Sequence, residues 1–242
     1  MQLSITTNAI LIDRYIDAFI TYGLKDINVS LDSLVPTKFA TITKRDQFKK
    51  AYDNMNLLID KGFNVKVNVV LIKDFNEDEI IDFIALTKQL PIIIRFIEFM
   101  PFDGNRWDKS KLVTQAEILK RVHLHFGNIN CVPLENETNF TARNFKIKGF
   151  KGVFGIISSV SNPFCDSCNR IRLTANGKLK NCLFSNGEMD LLSRFRESVP
   201  IEPYIKLAIG KKKKVRSGME TMQQLENPKI HSKNRSMITI GG

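Results

Sequence analysis

The chain is poor in cysteine, histidine and tryptophan, with 4, 3 and 1 among its 242 residues. Without a secretory signal, so small a cysteine count argues against a disulfide-stapled extracellular fold and for thiols kept in a reducing, intracellular compartment. No apolar run approaches the roughly 18 to 20 residues that span a bilayer, and residues 1–12 lack the charged-then-apolar layout of a signal peptide. A soluble protein with no membrane partner is expected. Acidic residues are in the minority, 25 against 36 Lys and Arg, leaving a formal charge of +11 that calls for an anionic partner. Nucleic acid and a nucleoside triphosphate held in a basic cavity both meet that demand. An apolar share of 43% excludes a disordered chain and permits a sizeable core. Part of the positive charge is the run Lys211–Lys214 with Arg216, which reads as a solvated, flexible turn.

Up to residue 105 short apolar runs alternate with amphipathic stretches. Leu3–Thr7, Ile27–Leu31, Val65–Leu71 and Ile92–Phe99 read as strands. Ile10–Tyr22 before Gly23, Lys44–Lys61 before Gly62, and Asn76–Leu90 with its Asn-x-x-Glu capping pattern read as helices. This β-α-β rhythm predicts an α/β fold with a parallel sheet, whose chemistry belongs at the carboxyl ends of its strands. The residues there are polar: Thr6, Thr7 and Asn8, then Ser30 and Asp32, then Arg95 and Glu98 before Met100. Asn8 and Asp32 also suit turns. Lys66 stands inside the apolar third strand, where an unpaired ammonium is costly. Met1–Thr7 as an opening strand leaves an uncovered edge, so the chain is expected to begin in the middle of a fold. Beyond residue 105 come a helix around Thr114–His125, a polar stretch Glu135–Arg143 and a β-like segment Gly152–Val160.

Three of the four cysteines fall together, as Cys165 and Cys168 in a C-x2-C loop and Cys182. Arg170–Thr174 and Lys178–Leu183 read as a hairpin turning at Asn176-Gly177, which returns Cys182 toward the pair. The spacing suits zinc or an iron–sulfur cluster. Structural zinc wants a fourth ligand, and His123, His125 and His231 lie far off in sequence. Three thiolates on a four-iron cluster leave one iron open to a substrate. Arg170 and Arg172 would then lie on one face of a strand, presenting guanidinium forks to it. Cys131 stands apart as a bystander.

The run from Phe164 to Phe184 that carries these cysteines resembles the carboxy-terminal cluster motif of the MoaA family. The resemblance extends to Ile-Thr-Thr-Asn at 5–8, Asn-Val-Ser-Leu-Asp-Ser at 28–33, Arg-Phe-Ile-Glu-Phe-Met-Pro-Phe-Asp-Gly-Asn at 95–105 and the terminal Gly-Gly, with an animal-like middle segment. It implies a partial, incomplete TIM-type radical-SAM barrel in residues 1–105 and a cluster- and GTP-binding region with the Gly-Gly tail in residues 106–242. It implies a radical-SAM lyase, a GTP 3′,8-cyclase of molybdenum cofactor biosynthesis that makes (8S)-3′,8-cyclo-7,8-dihydroguanosine 5′-triphosphate. By motif, Cys165, Cys168 and Cys182 would hold a 4Fe-4S cluster that binds guanine. Thr6, Lys66, Arg170, Ile171 and Arg172 would meet GTP, and Ser30, Met100 and Arg95 would meet S-adenosylmethionine. Arg170, Arg172, Gly241 and Gly242 would be catalytic. The resemblance admits a homodimer, hand-off to a MoaC-type cyclic pyranopterin phosphate synthase, and a mitochondrial matrix location.

The departure is the missing C-x3-C-x2-C that holds the family's amino-terminal 4Fe-4S cluster and cleaves S-adenosylmethionine. The chain is therefore expected to be a fragment that is inactive alone, the alternative being a shortened isoform that keeps GTP and cluster binding without catalysis. The competing class is a zinc-dependent nucleic-acid-binding module, which the basic balance and the C-x2-C loop suggest. Against it, the Phe residues are scattered rather than interleaved with Lys and Arg on one face.

Overall fold

A computed structural model describes residues 2–135, 139, 141–231, 235 and 236. They form two compact units, residues 1–99 with 111–162 and residues 100–110 with 163–242. The units do not divide at the 105/106 boundary read from the sequence, because residues 111–162 return to extend the sheet of the first.

In the first unit the strands are β1 (Ser4–Thr7), β2 (Asp26–Ser30), β3 (Asn64–Leu71), β4 (Ile93–Glu98), β5 (Cys131–Pro133), β6 (Arg143–Ile147) and β7 (Val153–Ile157). They pair in the order β1-β2-β3-β4-β7-β6-β5. β1 to β4 and β7 are mutually parallel, whereas β5 and β6 run antiparallel to their neighbours. This is a mixed α/β fold with a parallel-rich sheet. The first four strands match the sequence reading to within about one residue, since β-branched runs bounded by helix stops specify them. β5 and β6 were not read, because three- and five-residue strands carry little periodic signal.

One sheet face is apolar throughout: Ile27 and Val29, Val65, Val67, Val69 and Leu71, Ile94 and Phe96, Phe154 and Ile156 are all buried. Helices cover it with Ile12, Ile16, Phe39, Met55, Leu58, Ile80 and Phe83. Each such side chain contributes about 1.5–3 kcal/mol on burial.

Three helix expectations are corrected. The first begins as a 3-10 turn over Ile12–Tyr15 before its α-helix Ile16–Thr21, and Gly23 ends it with φ 69° as expected. The second spans Phe48–Asp60, and a separate helix Pro36–Thr43 precedes it across Lys44 at φ 57°. The third is shorter, Ile80–Leu86 after a turn Glu77–Glu79, and Asn76 does not cap it. Asn76 is wholly buried and donates to Asp32 O (2.6 Å) and Val70 O (2.9 Å) while accepting from Ile72 N. It ties two strand ends together, a demand stronger than capping. The helix Gln115–Phe126 starts with a capping box between Thr114 and Glu117.

In the second unit β8 (Arg172–Leu173), β9 (Lys178–Lys180) and β10 (Met189–Asp190) form a small antiparallel sheet. Helices Leu192–Arg196 and Glu202–Gly210 follow it. Leu179, Leu191 and Ala208 form its core, and Phe102 stacks on Phe184 at 6.0 Å between centroids. Among the described residues no helix is long and apolar enough to cross a membrane. Gly241 and Gly242, and most of the polar stretch at 136–140, lie outside the described residues.

Candidate functional site

The second face of the large sheet is the unusual one. A parallel sheet covered on both faces is apolar on both. Here the face opposite the helices carries Thr6, Asn28 and Lys66 in one register row and Ser30, Asn68 and Arg95 in the next. Strand alternation sets Asn28 with Ser30 and Lys66 with Asn68 on this face, and interstrand register aligns Thr6 and Arg95 with them. Four strands, β1 to β4, thus bring four of the predicted residues, Thr6, Ser30, Lys66 and Arg95, onto one surface. Met100 belongs to the second unit, where its carbonyl accepts from Asn105 Nδ2 at 2.6 Å.

Lys66 is not unpaired: its ammonium stands 3.3 Å from Asp26 Oδ1. Asp26 in turn accepts from Gln2 Nε2 at 2.8 Å. The Gln2 hydrogen bond, with help from Lys66, holds the Asp26 carboxyl below the usual carboxylate range against the opposing effect of burial. Arg95 reaches across β3 and donates from Nη1 to Asn28 Oδ1 at 3.1 Å. Burial lowers its pKa, and Asp26 partly offsets that. Sequence reasoning missed Asn28 and Asn68, although both stand in the same polar alternation. Asn68 Oδ1 is buried and accepts no hydrogen bond among the described residues.

The strand ends themselves divide. Thr7 and Asn8 accept from the amides of Ala9 and Ile10, so both are turn formers. Asp32 Oδ1 accepts from Val70 N at 2.8 Å, and burial pushes its carboxyl up to about 6. Glu98 is wholly buried and saturated: it accepts from Val160 N (2.8 Å), Ser161 N (2.8 Å), Gln115 N (3.3 Å) and Ser161 Oγ. Its role is to clamp the turn after β7.

The cysteine loop lies in the second unit. Cys165 opens a 3-10 turn, Cys165–Ser167, and Cys168 N donates to Cys165 O at 3.1 Å. Asn176-Gly177 turns the hairpin as expected, with Gly177 at φ 72°, and Cys182 follows β9 directly. The hairpin strands are shorter than read from sequence. Arg170 precedes β8 and is exposed; its guanidinium lies 4.7 Å over the Phe164 ring, and Nη2 donates to Cys168 Sγ at 3.7 Å. Ile171 is 45% exposed. Arg172 is half-buried; burial and Arg170 lower its pKa, while Cys182 and Cys168 raise it.

All four cysteines are free. Burial raises the Cys182 thiol, and Cys165 and Cys168 add to that, as expected for three sulfurs near one another. Burial opposes ionisation of Cys168, but the Arg170 amide and the Lys212 and Arg170 side chains win, so its pKa is lowered. Among the described residues no group of three or more His, Cys, Asp or Glu side chains is arranged to hold a metal ion. Cys165, Cys168 and Cys182 are three free thiols that influence one another electrostatically beside cationic groups, a donor chemistry compatible with iron–sulfur ligation. Cys131 lies buried in β5 of the first unit, apart from the three. A cavity of about 580 Å³ in the second unit is lined by Leu179, Phe184, Glu188, Lys211, Lys213 and Met219, and by none of the predicted site residues.

Comparison with known proteins places these features in a class. Residues 1–87 match the model of the Radical SAM superfamily. Residues 92–218 match Molybdenum Cofactor Synthesis C, and the chain belongs to that family. It is 42% identical over 242 residues to human "Molybdenum cofactor biosynthesis protein 1", covering 98% of this chain and 37% of that protein. To "GTP 3′,8-cyclase, mitochondrial" of Arabidopsis thaliana it is 39% identical, over 100% of this chain and 60% of that protein. To "GTP 3′,8-cyclase" of Alkaliphilus oremlandii it is 43% identical over 197 residues, 81% of this chain and 60% of that one. The chain thus spans little more than a third of the length of the human relative.

Proposed function

We propose that this chain is the GTP- and cluster-holding part of a GTP 3′,8-cyclase of molybdenum cofactor biosynthesis. The observation that carries the reading is the set of three free, neighbouring cysteines, Cys165, Cys168 and Cys182, under the guanidinium groups of Arg170 and Arg172. Names of relatives that are cyclases support it.

On this reading the large sheet of residues 1–99 and 111–162 is part of an incomplete TIM-type barrel, and residues 100–110 with 163–242 carry the cluster-binding region. Cys165, Cys168 and Cys182 would hold a 4Fe-4S cluster that, when bound, supplies an iron without a protein ligand for the guanine. Lys66 and Thr6 meet GTP from the sheet; the Lys66 ammonium, already partnered by one carboxylate, has donors left for phosphate. Arg170 and Arg172, with Ile171 between them, meet GTP from the cysteine loop and counter its negative charge. Ser30, Arg95 and Met100 meet S-adenosylmethionine. Gly241 and Gly242 add a slim tail to the same chemistry. The chain carries no C-x3-C-x2-C, so its own residues account for substrate and cluster holding and not for starting a radical. A homodimer, hand-off to a MoaC-type synthase and a mitochondrial location belong to the same proposal, the last supported by the Arabidopsis relative's name.

The test is anaerobic purification and reconstitution with iron and sulfide counted per chain, beside Cys168→Ser. About four irons and four sulfides, lost in the variant, are expected. Zinc near one per chain without sulfide overturns the reading.

A further inference from the structure

The lysine run 211–214 does not behave as a free, solvated turn. Lys212 is partly buried, and its ammonium donates to Cys168 O at 2.8 Å, to Arg170 O at 3.1 Å and to Cys168 Sγ at 3.3 Å. Four residues on, the Arg216 amide donates to Cys165 Sγ at 3.4 Å. That amide is aimed by an uncommon backbone: Arg216 and Ser217 have φ of 38° and 59°. Left-handed conformations cost about 1 kcal/mol or more in residues other than glycine, and persist where surrounding contacts hold them. Here the contacts are the Arg216 guanidinium itself, 5% exposed, donating from Nε to Met219 O and from Nη2 to Glu220 O, both at 2.8 Å. One segment, residues 212–216, therefore brings a cation to one cysteine sulfur and an N–H to another, across more than 40 residues of sequence.

We propose that Lys212 is a positioning residue for the cysteine loop that sets the reduction potential of the cluster, and that residues 212–216 form a strap supplying N–H···S donors to Cys165 and Cys168. This rests on the proposed cluster. Hydrogen bonds and positive charge at cluster sulfurs stabilise the reduced form, which carries one more negative charge. Lys212 also ties the loop together through two carbonyls, so the sulfur it reaches is held at a fixed distance from the charge. Removing the ammonium makes the cluster harder to reduce.

The experiment reconstitutes the wild-type chain anaerobically and titrates the cluster with dithionite under mediators, reading the reduced form by electron paramagnetic resonance. Lys212→Gln, Lys212→Arg and Lys214→Gln accompany it. Lys214 is exposed and removes the same net charge without the contact. The expected result for Lys212→Gln is a fall of roughly tenfold in the reduced-to-oxidised ratio at fixed potential, about 59 mV for one electron. Lys212→Arg recovers most of that fall and Lys214→Gln shows none. Equal midpoints in wild type and Lys212→Gln overturn the inference while leaving the cluster reading intact, as does an equal shift in Lys214→Gln. Where Lys212→Gln folds but takes up no iron, uptake restored by Lys212→Arg supports the contact and uptake not restored overturns it. A wild-type chain that takes up no iron and sulfide overturns the cluster reading and the inference with it.

Discussion

Glu98→Gln tests how the first unit holds the turn that leads into the cysteine loop. The wild-type carboxylate takes two donors on Oε2, the amides of Val160 and Ser161, both at 2.8 Å, and two on Oε1, from Gln115 N and Ser161 Oγ. A glutamine is the same size, so no cavity opens. Its amide nitrogen faces two N–H groups if it takes the Oε2 place; if it takes the Oε1 place the Ser161 hydroxyl can turn to accept from it, but the Gln115 N–H is left unpaired and every remaining bond loses its charged acceptor. Hydrogen bonds to a charged acceptor are worth about 1.5–3 kcal/mol each, and the relief of no longer burying a charge offsets part of the loss. A net destabilisation of about 3 kcal/mol follows. For a unit of this size each kcal/mol moves Tm by about 2–4 °C, so the midpoint falls by about 6–12 °C. Circular dichroism melting, with a urea titration to give the free energy, measures it. A loss under about 1 kcal/mol refutes the view that the carboxylate, rather than the surrounding apolar packing, fixes this turn.

Asp32 supplies a pH test. Its folded carboxyl titrates at about 6 against an ordinary 3.8, raised by burial, so the folded state holds the proton more tightly than the unfolded one. Stability therefore falls as pH rises from about 4 to about 6 and is level beyond, and Asp32→Asn flattens that part of the urea-midpoint curve. Gly177→Ala places a Cβ 2.3 Å from Leu192 Cβ at a residue with φ 72°; the hairpin that places Cys182 is disrupted, and iron bound after reconstitution is expected to drop by more than half. Lys66→Met removes a partly buried ammonium paired with Asp26, and isothermal titration with GTP should show affinity about tenfold lower. Unchanged affinity removes Lys66 from the proposed GTP contacts.

Much of this molecule was readable from the chain. β1 to β4 follow from β-branched runs, the helix stops from Gly23 and Gly62, and the hairpin turn from Asn176-Gly177, because each is set by backbone preferences that act within a few residues. The candidate site residues Thr6, Ser30, Lys66 and Arg95 were legible as polar side chains in apolar strands. What they touch was not. That Lys66 meets Asp26, that Arg95 crosses β3 to Asn28, and that Asn76 leaves its cap to tie Asp32 to Val70 depend on register between strands, which no local preference encodes. The lysine run shows the same limit. As sequence it is a cluster of like charges that belongs in water, and only the fold that returns residues 212–216 to Cys168 and Cys165 turns two of its donors toward sulfur. Periodicity and turn chemistry are local and survive in the bare sequence; partners distant along the chain are decided when the core closes, where one buried contact outweighs the propensity of the residue that makes it.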